Sequence, residues 1–293
     1  MRIVLISIFC CSLVFPQSDS LHKTSIIGSF NQALFFTVDQ ADNLIVYDDG
    51  SKTLLKLTPG GDTITSIGGY GWKTSAFDTP LDGIAKNGLD VFISDYGNSR
   101  ILRLDKNLNF LSSYPATEND PAEKEKFRYP RSIDTDRFGK LYLVNGENNT
   151  ILKINNDVIE RAFGGVDAGA GRLLNPVRVR ISKDDKVFVQ DRYNIVVFDL
   201  IGNYLQTIGN GLFKSLKSFC LDRNYVYALD SCNICIFQTS GKKEIDIPLS
   251  EIDEDLGCSD IIDLFRKDST IYFLTSHSVF MKTFKQSGLL KME

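Results

Sequence analysis

The chain has 293 residues, 43% hydrophobic and 24% charged, with a formal net charge of −4. That length suits one large all-β domain or two smaller ones. The weakly acidic balance, with no long run of like charge, excludes a general affinity for nucleic acid or anionic membranes.

The N-terminus reads as an export signal. Arg2 precedes a short apolar run, Ile3 to Phe15, and polar Gln17-Ser18-Asp19-Ser20 follows. The run is too short to span a bilayer as a stable helix. We place the signal at residues 1–18 and a single domain at 19–293. Cys10 and Cys11 raise the question of a lipid anchor. Phe9 and Cys10 stand where a bacterial lipoprotein signal wants a small residue, so the match is poor. No second apolar stretch is long enough for a membrane helix, so a secreted or periplasmic protein is expected, without an integral span.

From residue 35 onward a unit recurs about every 45 residues, six times. Its clearest parts are two apolar runs joined by a polar turn. They read Leu44–Lys56, Val91–Arg103, Leu141–Lys153, Val187–Phe198, Tyr225–Phe237 and Ile271–Lys282. Several strands per unit at this period predict an all-β six-bladed β-propeller of four-stranded antiparallel blades. The blades fall at approximately 33–68, 81–115, 130–164, 176–209, 216–248 and 260–285. Inner strands are expected at Phe35–Val38, Gly83–Ala85, Ser132–Thr135, Val177–Ile181, Ser218–Leu221 and Ile261–Phe265. The runs are rich in Val, Ile, Leu, Tyr and Phe, as strands buried between blades should be.

Three outer strands end alike, in Ser66-Ile67-Gly68-Gly69, Ala162-Phe163-Gly164-Gly165 and Thr207-Ile208-Gly209. The same pattern appears early, as Ser25-Ile26-Ile27-Gly28, while blade 6 lacks an outer strand of its own. Residues 22–28 are therefore expected to close the last blade, hiding strand edges that would otherwise template aggregation.

Blade 2 carries Gly68-Gly69, Phe77, Pro80 and Asp95-Tyr96-Gly97-Asn98-Ser99-Arg100-Ile101. This resembles an NHL repeat. Blade 3 is similar through Phe127, Pro130, Asn145, Asn148 and Ile151, although Thr150 replaces the arginine. Blade 4 keeps Pro176, Asp191 and Asn194, whereas blades 1, 5 and 6 keep mainly the periodicity. The resemblance spans about residues 22–285. It implies the propeller fold and a ligand face at the top, where inner strands begin. Propellers of this type include scaffolds, glycan and protein binders, lactonases and lyases, so it does not fix an activity.

Three candidate sites follow. Arg131, Arg178, Arg180 and Lys217 come from adjacent blades 3, 4 and 5. They could form a basic crescent at the channel mouth, suited to a carboxylate, phosphate or sulfate. Alternatively Asp82 and Asp134 pair with these arginines and satisfy the channel internally, with Asp263 a further acid on the same level. Tyr70, Trp72, Phe77, Phe127, Tyr129 and Tyr193 lie in loops on the same face. Trp72 and Tyr193 suit glycan or peptide recognition, while Phe77 and Phe127 are expected to plug gaps between blades. The third candidate is a calcium ion, which lactonase-type relatives hold in the channel. Asp82, Asp95, Asn145, Glu147, Asp191 and Asp230 offer oxygens. However, Asp, Asn or Thr recurs at this turn in every blade, where it caps the turn through its own side chain. The basic crescent would also repel a cation.

Other chemistries find few residues. The chain has two histidines, His22 and His277, too few for zinc or for a paired-histidine lyase. Gly-x-Ser-x-Gly is absent. Cys232-Asn233-Ile234-Cys235 straddles a turn and a strand, not a helix N-terminus, so it is not read as redox-active. A Cys232–Cys258 disulfide is expected, with Cys220 and Cys235 as buried thiols. Asn148-Asn149-Thr150 matches a glycosylation sequon. The expected function is a monomeric binding module or scaffold without cofactor, and its partner is a protein, an anionic glycan or a small ligand. Arg131, Arg178, Arg180, Lys217, Asp82, Trp72 and Tyr193 would carry that binding. The rival is a calcium-dependent hydrolase or lyase of the lactonase kind. A third possibility is a surface-assembly component that uses the ring edge.

Overall fold

The computed structural model describes residues 24–71, 76–86, 88–115, 127–252 and 260–283. The expected signal at 1–18, together with Trp72 and Cys258, lies outside them. Twenty-four strands form six four-stranded antiparallel sheets. Blade 1 runs β2 (Ala33–Val38), β3 (Leu44–Asp48), β4 (Thr53–Leu57) and β5 (Thr63–Gly68) from the axis outward. Blades 2 to 5 repeat this order as β6–β9, β10–β13, β14–β17 and β18–β21. The innermost strands are β6 (Pro80–Ile84), β10 (Pro130–Thr135), β14 (Pro176–Ile181), β18 (Leu216–Asp222) and β22 (Ile261–Lys267). Each touches the next, and β22 returns to β2, closing the ring.

Blade 6 is stitched from both ends of the described chain. Its outer strand is β1 (Ser25–Ile27), paired antiparallel with β24 (Val279–Thr283). Ile27 faces Val279 and is buried in the apolar cluster shared by blades 6 and 1. Every other neighbouring pair of blades encloses an equivalent cluster, so the core is a ring of six pieces and not one central mass.

In blades 1 to 5 the inner strands begin earlier than the sequence suggested, while that of blade 6 begins at Ile261 as expected. Pro80, Pro130 and Pro176 open β6, β10 and β14, paired with Asp95, Asn145 and Asp191, and a register shift follows each. Proline has no N–H to give a ladder and is accommodated at a strand's first residue beside a bulge. The same shift occurs in blades 1, 5 and 6 without proline, after Ala33, Leu216 and Ile261. The bulge therefore belongs to the repeat, and it brings Phe35, Asp82, Ser132, Arg178, Ser218 and Asp263 to the same register.

Packing explains the recurring Ile-Gly signature. Gly209 has φ +76°, and a Cβ there would collide with the Phe213 ring. Phe213 packs edge-on against Phe237, at 5.6 Å between centroids. The glycine lets the chain turn sharply out of the outer strand, so that the next blade's aromatic can cap the gap between blades. Phe77 and Phe127 do fill such gaps. Both are essentially unexposed and meet Tyr47 and Tyr114 edge-on, at 5.6 and 5.3 Å. Burying each contributes roughly 1.5–3 kcal/mol.

Candidate functional site: the central channel and its two mouths

The top of the channel is defined by the first residues of the inner strands. Here Arg178 and Arg180, two residues apart on β14, reach in opposite directions. Arg178 gives two parallel hydrogen bonds to Asp263 of blade 6, at 2.8 and 2.7 Å. Arg180 does the same to Asp82 of blade 2, at 2.8 and 3.0 Å. Each brace skips a blade. In the skipped blades, Ser132 donates to Asp82 at 2.5 Å and Ser218 donates to Asp263. Leu264 N–H completes the second carboxylate at 2.8 Å. All four charged side chains are at most 15% exposed. Two bidentate pairs with hydroxyl support are thus strung across the channel.

The electrostatics match this arrangement. Burial pushes the Asp82 carboxyl up, but the charge and hydrogen bonds of Arg180, with Arg178 and Ser132 behind them, outweigh it. The carboxyl sits below the usual carboxylate range. The partner arginine is affected inversely: burial disfavours its charge, and Asp82 more than restores it.

The expected open crescent is therefore corrected. Arg178 and Arg180 are inside, bound to acids. Asp82 does pair with one of the arginines, as the internal reading held, but Asp134 pairs with neither. Asp134 instead binds Lys86 at 2.8 Å and accepts N–H bonds from Thr135 and Ile181, both at 2.7 Å. Lys217 donates to the Ile261 carbonyl at 3.1 Å. Arg131 is different. Its guanidinium reaches Asn175 Oδ1 at 2.6 Å and the Pro176 carbonyl at 3.0 Å, both neutral acceptors. It meets no carboxylate among the described residues. Asn175 also accepts from the Arg192 N–H, next to Tyr193, which is 58% exposed. Tyr129, two residues from Arg131, is half-exposed and packs on Tyr96 at 5.3 Å. Arg131 and two exposed tyrosines thus share the top rim of blades 3 and 4.

Of the residues suggested for calcium, Glu147 is exposed, and Asp82, Asp95, Asn145, Asp191 and Asp230 have other partners. Asp48, Asp191 and Asp230 each accept two N–H groups from the loop leading into their own blade, as from Leu174 and Asn175 to Asp191. Asp95 takes Asp78 N–H, Asn98 and Arg100, and Asn145 takes Arg128 N–H. In blades 1 to 5 the recurring residue thus ties its blade's lead-in loop to the second turn and does not only cap that turn, as the sequence suggested; Thr275 of blade 6 caps its own turn, accepting the His277 and Ser278 N–H groups. Among the described residues, no group of three or more His, Cys, Asp or Glu side chains is placed to hold a metal. His277 contacts the Phe30 carbonyl at 3.1 Å, in a turn of blade 6.

Cys232 is disulfide-bonded, while Cys220 and Cys235 are buried free thiols, each pushed up to about 12 by burial. Cys258, the partner expected for Cys232, lies outside the described residues.

Below the braces, at the ends of the inner strands, the channel widens into a cavity of about 250 Å³. Sequence reasoning missed it because it looked only at strand beginnings. The bulge register would have revealed Ser132 and Ser218, which occupy the positions of Asp82 and Asp263.

Similarity to known proteins is confined to the fold. No family model matches the chain, and no curated protein matches it. Among solved structures it is similar to streptogramin B lyase, with a TM-score of 0.66 and 10% identity, covering 89% of this chain and 98% of the lyase. Virginiamycin B lyase from Staphylococcus aureus with bound quinupristin gives 0.61 and 12%, over 90% and 99%. The extracellular domain of a hybrid two-component system from B. thetaiotaomicron gives 0.56 and 14%, over 87% of this chain and 34% of that one. Identities this low speak for architecture alone. The chain is a six-bladed β-propeller closed by its N-terminal strand.

Proposed function

We propose that this chain is an exported, NHL-type propeller that acts as a monomeric binding module through its top face. Residues 1–18 would be the export signal. The partner is a protein or an anionic glycan or small ligand, met by Arg131 with Tyr129 and Tyr193 on the same rim. The observation that carries this reading is the contrast between Arg131 and its neighbours. Arg178 and Arg180 are neutralised by buried aspartates, whereas among the described residues Arg131 holds only neutral acceptors, on a rim with exposed aromatics. A guanidinium that no described carboxylate neutralises, on a rim that also bears tyrosines, is chemistry that recognises a carboxylate or sulfate at an interface.

The lactonase or lyase alternative has less support. Its channel carboxylates would have to be open to a metal or a substrate, and here they are saturated by arginine, lysine, serine and backbone. The test is to immobilise the mature protein and its R131A/Y193A variant, then probe both with extracytoplasmic proteins and sulfated or uronate glycans. Ligands retained by the wild type and lost by an equally stable variant support the reading. Equal retention by both would contradict it.

A further inference from the structure

The cavity below the braces is built unlike the top. Its walls are Phe36, Ile84, Ala85, Leu221, Leu264 and Phe265, and its upper end is the underside of Arg178 and Arg180. At the lower mouth stand Lys86, Lys183 and Lys267. With the two arginines these make five cations on the lining, against three carboxylates, Asp39, Asp134 and Asp263. Asp39 is further neutralised by Lys56 from outside the cavity, at 2.7 Å. From outside it too, Asp82 neutralises Arg180 and Asp42 neutralises Lys267, so the space is apolar in its walls and positive by the one cation left over, Lys183.

The three lysines are not equivalent. Lys86 is saturated by Asp134, Thr135 and Ile181, and Lys267 by Asp39, Gln40 and Asp42. Lys183 is exposed and makes no hydrogen bond or ion pair among the described residues. Asp222 lies within its electrostatic reach but does not contact it. An apolar pocket with this one uncontacted cation at its lip fits one kind of occupant.

We propose that the lower cavity binds a small amphipathic monoanion, its apolar body against Phe36, Leu264 and Phe265 and its carboxylate at Lys183. The volume sets the size. An apolar cavity of about 150 Å³ takes up benzene, so about 250 Å³ suits on the order of ten non-hydrogen atoms, those of a medium-chain carboxylate. The site is at the opposite end of the channel from Arg131 and does not depend on the top-face reading.

The test is calorimetric titration of the mature protein with octanoate, with octan-1-ol and octylammonium as neutral and cationic counterparts. Saturable one-site binding of octanoate is expected, about tenfold weaker for the alcohol and absent for the ammonium. Lys183→Glu should weaken octanoate about tenfold, whereas Lys242→Glu, the same charge change on blade 5, should leave it unchanged. Ala85→Phe should fill the cavity and abolish binding. Should that variant misfold, Lys183→Glu still decides, because its side chain is exposed. No binding of octanoate, equal binding of octylammonium, or an unchanged affinity in Lys183→Glu would overturn the proposal, leaving the top-face reading untouched.

Discussion

Arg180 of blade 4 is joined to Asp82 of blade 2 by two parallel hydrogen bonds of 2.8 and 3.0 Å, past the intervening blade 3. Both side chains are nearly buried, so each depends on the other. Asp82→Ala would leave a buried guanidinium uncompensated. We expect a loss of about 3–5 kcal/mol. The double variant Asp82→Leu/Arg180→Met should recover most of that loss, because paired apolar residues avoid the desolvation of both ions. Denaturant unfolding of the two variants checks this.

Acid should act on the same pair. The folded Asp82 carboxyl lies below its unfolded value of 3.8, held there by Arg180 against the opposing effect of burial. A depressed folded value contributes stability above the unfolded value, and this is lost as pH falls through the folded one. Asp82→Asn should therefore be clearly less stable than the wild type at pH 7, and the gap should narrow below about pH 4. Melting curves of both proteins from pH 7 to pH 2.5 measure it.

Closure of the ring should be energetically visible. Ile27 is buried where β1 meets β24 and packs between blades 6 and 1. Ile27→Ala should cost about 2–5 kcal/mol. Removing residues 19–30 should lower the melting temperature of the whole domain, not of one blade, because the deletion opens the ring. A single cooperative transition at a lower temperature is the expected calorimetric result.

Thiol chemistry should separate the cysteines. Cys220 and Cys235 are buried with their thiols pushed up to about 12, so the native protein at pH 8 should react slowly with Ellman's reagent. Denaturant should make both react at once. Mapping by mass spectrometry after alkylation would show Cys232 protected, and would show whether Cys258 is its partner.

Sequence periodicity revealed nearly all of the architecture. Apolar runs such as Val187–Phe198 repeat because every blade buries both faces, and Ile26-Ile27-Gly28 could be read as the missing strand because it copied the outer-strand ending. Local signals failed where partners are far apart in the chain. Arg180 and Asp82 are 98 residues apart, and Arg178 and Asp263 are 85 apart. Their side chains meet only because the bulge sets all six inner strands to one register. The cavity was less legible still. Its walls are ordinary strand residues such as Leu221 and Phe265, and Lys183 is a surface lysine in a turn until the ring brings that turn to the channel.

The central claim is that the charges of the two braces at the top of the channel satisfy one another and leave no carboxylate there for a metal. The most direct test is the melting temperature of the mature protein with excess calcium and with a chelator. A native-state ligand raises stability by RT ln(1 + [L]/Kd), so a resident calcium ion would show as a large difference. We predict superimposable curves. A fall of several degrees with the chelator would place a stabilising metal in the fold and contradict the account of self-neutralised braces.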